Sequence, residues 1–499
     1  MTLTQQLTFL LFSLTIPCTS ALPHPRPPRT YPPRDLPWYT SELNLLTSLT
    51  PRLTGSPNHN TLISHIEAQV HALGLTTSSN TYTFPYYDGP TTPPLLSIND
   101  TPVPVPFHVP YSGFTSPSGI SAPLITLNAS SPDFDWSAAN SHIAIIPLTV
   151  GPPDATPLTV WPNSPPWPDR PAVPASVANT AVNLTGALEA GVKGVIYAWT
   201  DVTSANALNQ YGPFKMSYAG VPAVYTAGAT TAQVLDAARR GDEARITLTG
   251  ELIPDTPTKV FWTVMPGTEP SLGNESVIIA THTDGTNVVQ ENGYITLLAM
   301  ARKLAVQPPR RTHVLVFLTG HLHTPAVTRT GRVLWRWLGD NPGLWRGDEG
   351  QMSAVFGSCV EHLGAMAWRE NLTADTYFPT GVPDDEMLFA ATPELAGLVR
   401  DQWRGATGES GLRISNPIES ELEQPGEGLP LLWENIPEVS LVTSPEWTLK
   451  IWPEGVDERT LIDVEVVKRQ TESFLRVWNA VDEMEKGSFG DVVYDRGPM

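Results

Sequence analysis

Imidazoles and carboxylates collect just beyond four apolar runs in the C-terminal half of this 499-residue chain. Residues 277–280 lead to His282 and Asp284, residues 314–318 to Gly320, His321 and His323, and residues 354–360 to Glu361 and His362. Residues 439–442 lead to Thr443 and Ser444, with Glu427 in the preceding loop, and Glu291 stands between the first run and the helix-like segment 294–304. An apolar run that ends in polar residues reads as a buried strand whose C-terminal end faces a site. In open α/β sheets ligands gather at such ends. Imidazole and carboxylate together suit zinc or a similar divalent ion. In His282-x-Asp284 the carboxylate is placed to orient the imidazole from behind. A water activated by the ion would be the nucleophile, with a carboxylate or imidazole as general base.

Plainer readings stand beside these. His282 and Asp284 suit a hydrogen-bonded structural pair. Glu291-Asn292-Gly293 suits a helix start with Asn292 as cap, and His321 and His323 suit a polar loop. Glu427 suits a solvated position, and Trp335, Trp337 and Trp345 suit packing better than a substrate wall. Glu361-His362 resists such a reading, because a charge buried behind a strand needs a partner.

The elements that must position these groups follow from periodicity. Helices are expected at 38–49, 62–73 before Gly74, 294–304, 393–403 and 464–481, the last with Val467, Phe474, Val477, Trp478 and Val481 on one face. Strands are expected at 81–87, 259–264 and the four runs above. Strands alternating with helices argue an α/β fold, a mainly parallel or mixed sheet covered on both faces. Residues 119–252 read as a separate β-rich unit, with strands at 124–127, 143–148, 194–197, 223–225 and 245–248 and helices near 177–190 and 231–239. Proline-rich 90–110 reads as a linker, and 152–174 as an irregular loop. Because the 62–73 helix belongs with the C-terminal sheet, the β-rich part is an insertion. The expected layout is 1–21 signal peptide, 22–37 proline-rich leader, 38–110 first part of the main domain with linker, 111–255 insertion, 256–485 second part, and 486–499 tail.

Bulk properties narrow the function. The net charge of −20 argues against nucleic acid or anionic membrane as partner. Residues 1–21 carry a mostly apolar run at 7–16 and a small-residue site at Thr19-Ser20-Ala21, which suits a secretory signal, although its start lacks Lys and Arg. The run is too short to span a bilayer. A secreted, extracellular protein is expected. Its Cys359 would then be alone and, inside an apolar run, a buried inert thiol. Sequons at Asn99, Asn128, Asn183, Asn274 and Asn371 are candidates for glycosylation.

Several of these stretches, taken together, resemble the secreted zinc aminopeptidases with two co-catalytic metals, the superfamily that also contains glutamate carboxypeptidase and the transferrin receptor. Arg52-Leu53-Thr54-Gly55-Ser56-Pro57 before a helix ending in Leu73-Gly74 is similar to the family's opening, and 119–252 to its inserted protease-associated domain. Residues 277–284 resemble the strand and His-x-Asp that begin its metal site, and 311–320 the next strand. Glu361-His362-Leu363-Gly364 falls where the family has Asp followed closely by Gly, and Ile436-Pro437 and the closing helix also fit. The resemblance implies His282 and Glu361 as ligands, with Asp284 orienting. It also exposes departures. Asn287 or Glu291 stands at the bridging Asp, His321-Leu322 at the Glu-Glu pair of base and ligand, and Gly428, beside Glu427, at the last ligating His. Two functions follow. In the first, His282, Glu291 and Glu361, with His321, His362 or Glu427, form a rearranged zinc site that cleaves an amide bond of a peptide or small-protein substrate near its N-terminus, Asp284 and His321 serving catalysis. In the second, the chain is a catalytically silent binding protein acting through the insertion or the former substrate cleft.

Overall fold

The computed structural model describes residues 35–89, 92–128, 135–151, 158–166, 173–181, 184–329, 331–406, 411–420, 423–443, 445–452 and 456–495. The expected signal peptide, nearly all of the leader, Ser444 and the sequon at Asn183 lie outside them. Asn99, Asn128, Asn274 and Asn371 are exposed. Among the described residues no helix is long and apolar enough to cross a membrane.

The four apolar runs form the middle of one eight-stranded mixed sheet. Thr312–Leu318, Glu275–His282, Ser353–Glu361 and Val439–Val442 lie side by side and parallel, so their C-terminal ends share a rim. Ser78–Asp88 and Glu251–Met265 close one edge in antiparallel register. Glu386–Ala390 and Leu412–Ser415, neither expected from the sequence, close the other. The four central strands are almost wholly buried because helices cover both faces, which is why they read as continuous apolar runs rather than as alternation.

One face packs on helices Leu36–Ser48, Pro57–Ala72, Gly293–Val306, Pro393–Gln402 and Val464–Glu483. The last inserts Val467, Phe474, Val477, Trp478 and Val481, all fully buried. At about 1.5–3 kcal/mol per side chain, they anchor the C-terminal helix firmly. The other face packs on Val333–Asp340, whose Trp337 is fully buried, and Trp345 joins the same cluster. Trp335 is half-buried, donates its indole N–H to Glu434 and sets its ring edge-on to Trp433. Within the stretch expected as a tail, Phe489 is fully buried in the core.

A second sheet of seven strands lies between Leu95 and Thr247 in the chain. It begins earlier than its sequence suggests. Leu95–Ile98 and Thr101–Val103, within the stretch expected as linker, pair with each other, and the former with Glu243–Thr247. Prolines at 102 and 104 hid these strands; Thr101–Val103 is an edge strand, where a missing N–H is tolerated. The 15-residue strand Glu251–Met265 then carries the chain from the insertion into the main sheet.

Candidate metal centre

Three glycines let the rim close up. A Cβ on Gly293 would lie 2.0 Å from the Val360 carbonyl, so the Gly293–Val306 helix starts flush against the Ser353–Glu361 strand. A Cβ on Gly285 would collide with the Glu291 carboxylate, and one on Gly426 would lie 2.5 Å from Glu361 Oε2. Gly426 also has φ +75°, a conformation that side chains disfavour. Asn292 makes no cap. Its amide instead pairs with both backbone groups of Leu363 at 2.8 Å, tying the start of the helix to the loop after Glu361.

At the rim His282, His321 and Glu361 each offer a ligand atom, all within 4.8 Å of one another. The His282 and His321 rings stack 4.0 Å apart. His282 Nδ1–H donates to the Asp284 carbonyl at 2.8 Å, and His321 Nδ1–H to Glu427 Oε1 at 2.9 Å. Both rings are thereby fixed in the tautomer that leaves Nε2 as acceptor, the usual arrangement behind a metal-bound imidazole. Glu361 Oε1 accepts from the Glu427 N–H at 2.7 Å and from the Cys359 thiol, leaving Oε2. His282 Nε2 and Glu361 Oε2, 3.8 Å apart, are buried with no hydrogen-bond partner among the described residues. Such orphaned groups are costly unless something absent from the protein chain satisfies them. Two imidazoles and a carboxylate, each braced from behind, suit one divalent ion with an open position.

The electrostatics agree. Burial, then the neighbouring His321 and His362, pull the His282 pKa far down, so its ring is neutral. Burial would lower His321 too, but the Glu427, Glu361 and Asp284 carboxylates outweigh it and the net shift is upward. Burial raises Glu361 against the pull of His321.

The other expected site residues have different roles. Asp284 orients the His282 ring through its backbone carbonyl rather than its carboxylate, which stands 4.0 Å from Nδ1. The carboxylate accepts from Thr54 Oγ1 at 2.6 Å and from the N–H groups of Leu322 and His321, so it braces the loop below the cluster. Glu291 is not brought into the cluster. It forms a fully buried ion pair with Arg52, whose guanidinium also donates to the carbonyls of Leu46 and Asn287, at 2.7 Å for the latter. Asn287 likewise turns away, its amide bonding the Thr448 and Lys450 carbonyls. Glu427 stands behind His321, its other oxygen taken by the Leu334 N–H at the start of a helix. His362, in a left-handed conformation with φ +59°, donates Nδ1–H to the Thr443 carbonyl and accepts from the Gln290 amide at Nε2. Burial brings its pKa down to about 3, so it is a neutral imidazole beside the cluster. His321, expected in a catalytic role, stands among the candidate ligands. His323 stacks on Tyr111 of the insertion at 3.9 Å, away from the cluster. Cys359 is a buried thiol held well above its ordinary pKa by burial and Glu361, which suits the inert reading.

A cavity of about 800 Å³ opens over His321, Glu361, His362 and Glu427. Its far wall comes from the insertion, including Leu184, Phe214, Lys215 and Met216. Phe214 sets its ring edge-on to His321, centroids 5.8 Å apart. None of this wall was visible in the sequence, since residues a hundred positions from the cluster carry no spacing signal. Thr54 was missed as a brace for the same reason, whereas Gln290 and Cys359 lie close to cluster residues in sequence but bear side chains whose direction spacing does not give.

No family model and no curated protein matches the chain. Among solved structures it is similar to an aminopeptidase from Aneurinibacillus sp. strain AM-1, with TM-score 0.60 and 14% identity over 90% of this chain and 93% of that one. It is similar to a peptidase M28 precursor from Shewanella amazonensis SB2B, with TM-score 0.59 and 14% identity over 90% and 93%. A zinc aminopeptidase from Bacillus subtilis gives TM-score 0.57 and 13% identity over 93% and 99%. At this identity the likeness is one of architecture: the chain has the fold of the M28-type aminopeptidases.

Proposed function

We infer that the chain is a secreted, metal-dependent hydrolase of peptide or related amide bonds that works with one divalent ion, zinc being the ion the donor set suits best. The observation that carries this reading is the pair of orphaned, buried donor atoms, His282 Nε2 and Glu361 Oε2, beside the braced His321 at the floor of the cavity. The fold and the zinc aminopeptidases that share it support peptide chemistry. We take the inserted sheet to be a protease-associated domain. One ion rather than two is the expectation, because Glu291 pairs with Arg52 through one oxygen and stands outside the cluster, and Asn287 is committed to backbone carbonyls.

His282, His321 and Glu361 would hold the ion. When bound, it supplies Lewis acidity, polarising a scissile carbonyl and acidifying a water. The chain's own residues do the rest. Asp284 and Thr54 fix the loop that carries His321, and Glu427 fixes the His321 ring. His362 Nε2 is the acceptor at the cavity wall nearest to hand for a proton, once the Gln290 amide moves aside.

One observation favours the second reading, a catalytically silent metal-binding scaffold. Both Glu427 oxygens are engaged, and His362 is a weak base with a pKa of about 3. General bases work best with a pKa near the operating pH, so slow turnover is expected even if the hydrolase reading holds. The test is hydrolysis of a panel of peptide and N-acyl amino-acid amides by zinc-loaded protein and by His282→Ala. Cleavage that requires His282 supports the hydrolase. Stoichiometric zinc without cleavage of any amide supports the scaffold.

A further inference from the structure

The charges inside the cavity are arranged against a free N-terminus. Among its described lining residues the carboxylates are Glu361 and Glu427; both Glu427 oxygens are engaged, and the one unpartnered Glu361 oxygen, Oε2, faces the metal cluster, so with an ion held there neither is left for an ammonium group. Glu427 bonds His321 and the Leu334 N–H. Glu361 bonds the Glu427 N–H with one oxygen and turns the other to His282. The cations are Lys215 and Arg332. Lys215 is exposed and has no ion pair or hydrogen bond among the described residues, and Arg332 has one long hydrogen bond, 3.4 Å, to the Gln424 carbonyl. In a chain of net charge −20 the lining sets two cations beside two carboxylates that belong to the cluster, so Lys215 and Arg332 are the charges left to meet an anionic ligand.

Lys215 is also held in place. It follows Phe214, whose φ of +27° is a strained conformation for a bulky residue. The Phe214 carbonyl accepts from the Thr324 N–H at 2.8 Å, and the Met216 N–H closes the turn onto the Pro213 carbonyl at 2.6 Å. This turn sets the Phe214 ring against His321 and leaves Lys215 on the cavity wall. The strain is local to the turn that joins the insertion to the metal cluster.

We propose that the cavity takes N-blocked, carboxylate-bearing substrates, such as N-acyl amino acids or N-blocked peptides with a free C-terminus, whose carboxylate pairs with Lys215 and Arg332. The proposal rests on the hydrolase reading for its chemistry but not for its binding, and the two fail separately. Calorimetry on zinc-loaded protein would compare N-acetyl-Ala-Ala, its C-terminal amide, and unblocked Ala-Ala amide. The acid is expected to bind about tenfold more tightly than its amide, and the unblocked peptide most weakly. Lys215→Ala is expected to bring acid and amide to near parity, and Lys215→Glu to invert them. Because Lys215 is exposed, neither substitution touches the folded core. Equal binding of acid and amide, no binding of any probe, tightest binding of the unblocked peptide, or a preference unchanged in Lys215→Glu would each overturn the proposal. A preference for the acid that depends on Lys215, without cleavage of any amide, would uphold it while removing the hydrolase reading.

Discussion

Replacing Arg52 by Met tests whether the Arg52–Glu291 pair is a structural clamp rather than part of the metal centre. Arg52 is fully buried. Its guanidinium holds Glu291, the Leu46 carbonyl at the end of the first helix, and the Asn287 carbonyl in the loop after the His282 strand. Methionine keeps much of the aliphatic volume but leaves the buried Glu291 carboxylate and the Asn287 carbonyl unanswered, while the Leu46 carbonyl keeps the Leu49 N–H. Breaking a buried ion pair from one side costs about 3–5 kcal/mol, and the stranded carbonyl adds to that only partly, because the loop can relax. For a unit of roughly 300 residues unfolding together, a loss of about 4 kcal/mol lowers Tm by about 6 °C. The double variant Arg52→Met with Glu291→Met removes both charges and should recover a large part of that loss. Glu291→Gln keeps the oxygen toward Arg52 and should retain full metal content. Urea unfolding at neutral pH, with metal analysis of each variant, reads all three. Arg52→Met within about 1 kcal/mol of wild type would refute the clamp, and loss of metal in Glu291→Gln would return Glu291 to the ligand set.

Other consequences follow from the same structure. Glu438 is fully buried beside Ser440 without a cation, and burial pushes its pKa up to about 8. The folded value lies above the unfolded one. Its contribution to stability is therefore full below about pH 4.5 and is lost as pH rises through about 8, with a ceiling of about 5 kcal/mol. Glu438→Gln should flatten that part of a stability-against-pH curve, and an unchanged slope would contradict the assignment. Glu427→Gln removes the carboxylate behind the His321 ring and should weaken metal affinity about 10- to 100-fold, read by competition with a chelating dye. Gly426→Ala places a methyl group against Glu361 at a backbone conformation costing about 1–2 kcal/mol. It should lower both stability and metal occupancy, whereas Gly487→Ala, with open space at its Cβ, should lower neither.

The parallel centre of the sheet was legible in the sequence because its strands are buried on both faces, and their apolar runs mark themselves. Glu386–Ala390 and the edge strand beside it, Leu412–Ser415, were not, since four or five residues are too few to show a pattern of their own. The long helix 464–483 was legible through its broad apolar face. At the site, sequence reasoning gathered the right strand ends but could not assign directions to side chains. Asp284 is two residues from His282 in sequence, and alternation would keep both side chains on one face, yet the strand ends at His282 and the chain turns there, so its carboxylate reaches Thr54 and the His321 loop. Glu291 lies in the loop nearest the cluster, yet Gly285 clears a path for it to Arg52. Glu427 and His321, 106 residues apart, meet because two loops fold over the same rim. Lys215 and Phe214 come from the insertion, and no spacing within the C-terminal half could have named them.

The most direct test of the account is the metal content of the purified protein after exposure to zinc and removal of excess, measured by mass spectrometry on wild type, His282→Ala, Glu361→Ala and Glu291→Gln. The expected result is close to one zinc per chain in wild type and in Glu291→Gln, and none in the other two. Wild type without zinc would contradict the metal centre built from His282, His321 and Glu361. Two zinc ions per chain would contradict its being a site for one.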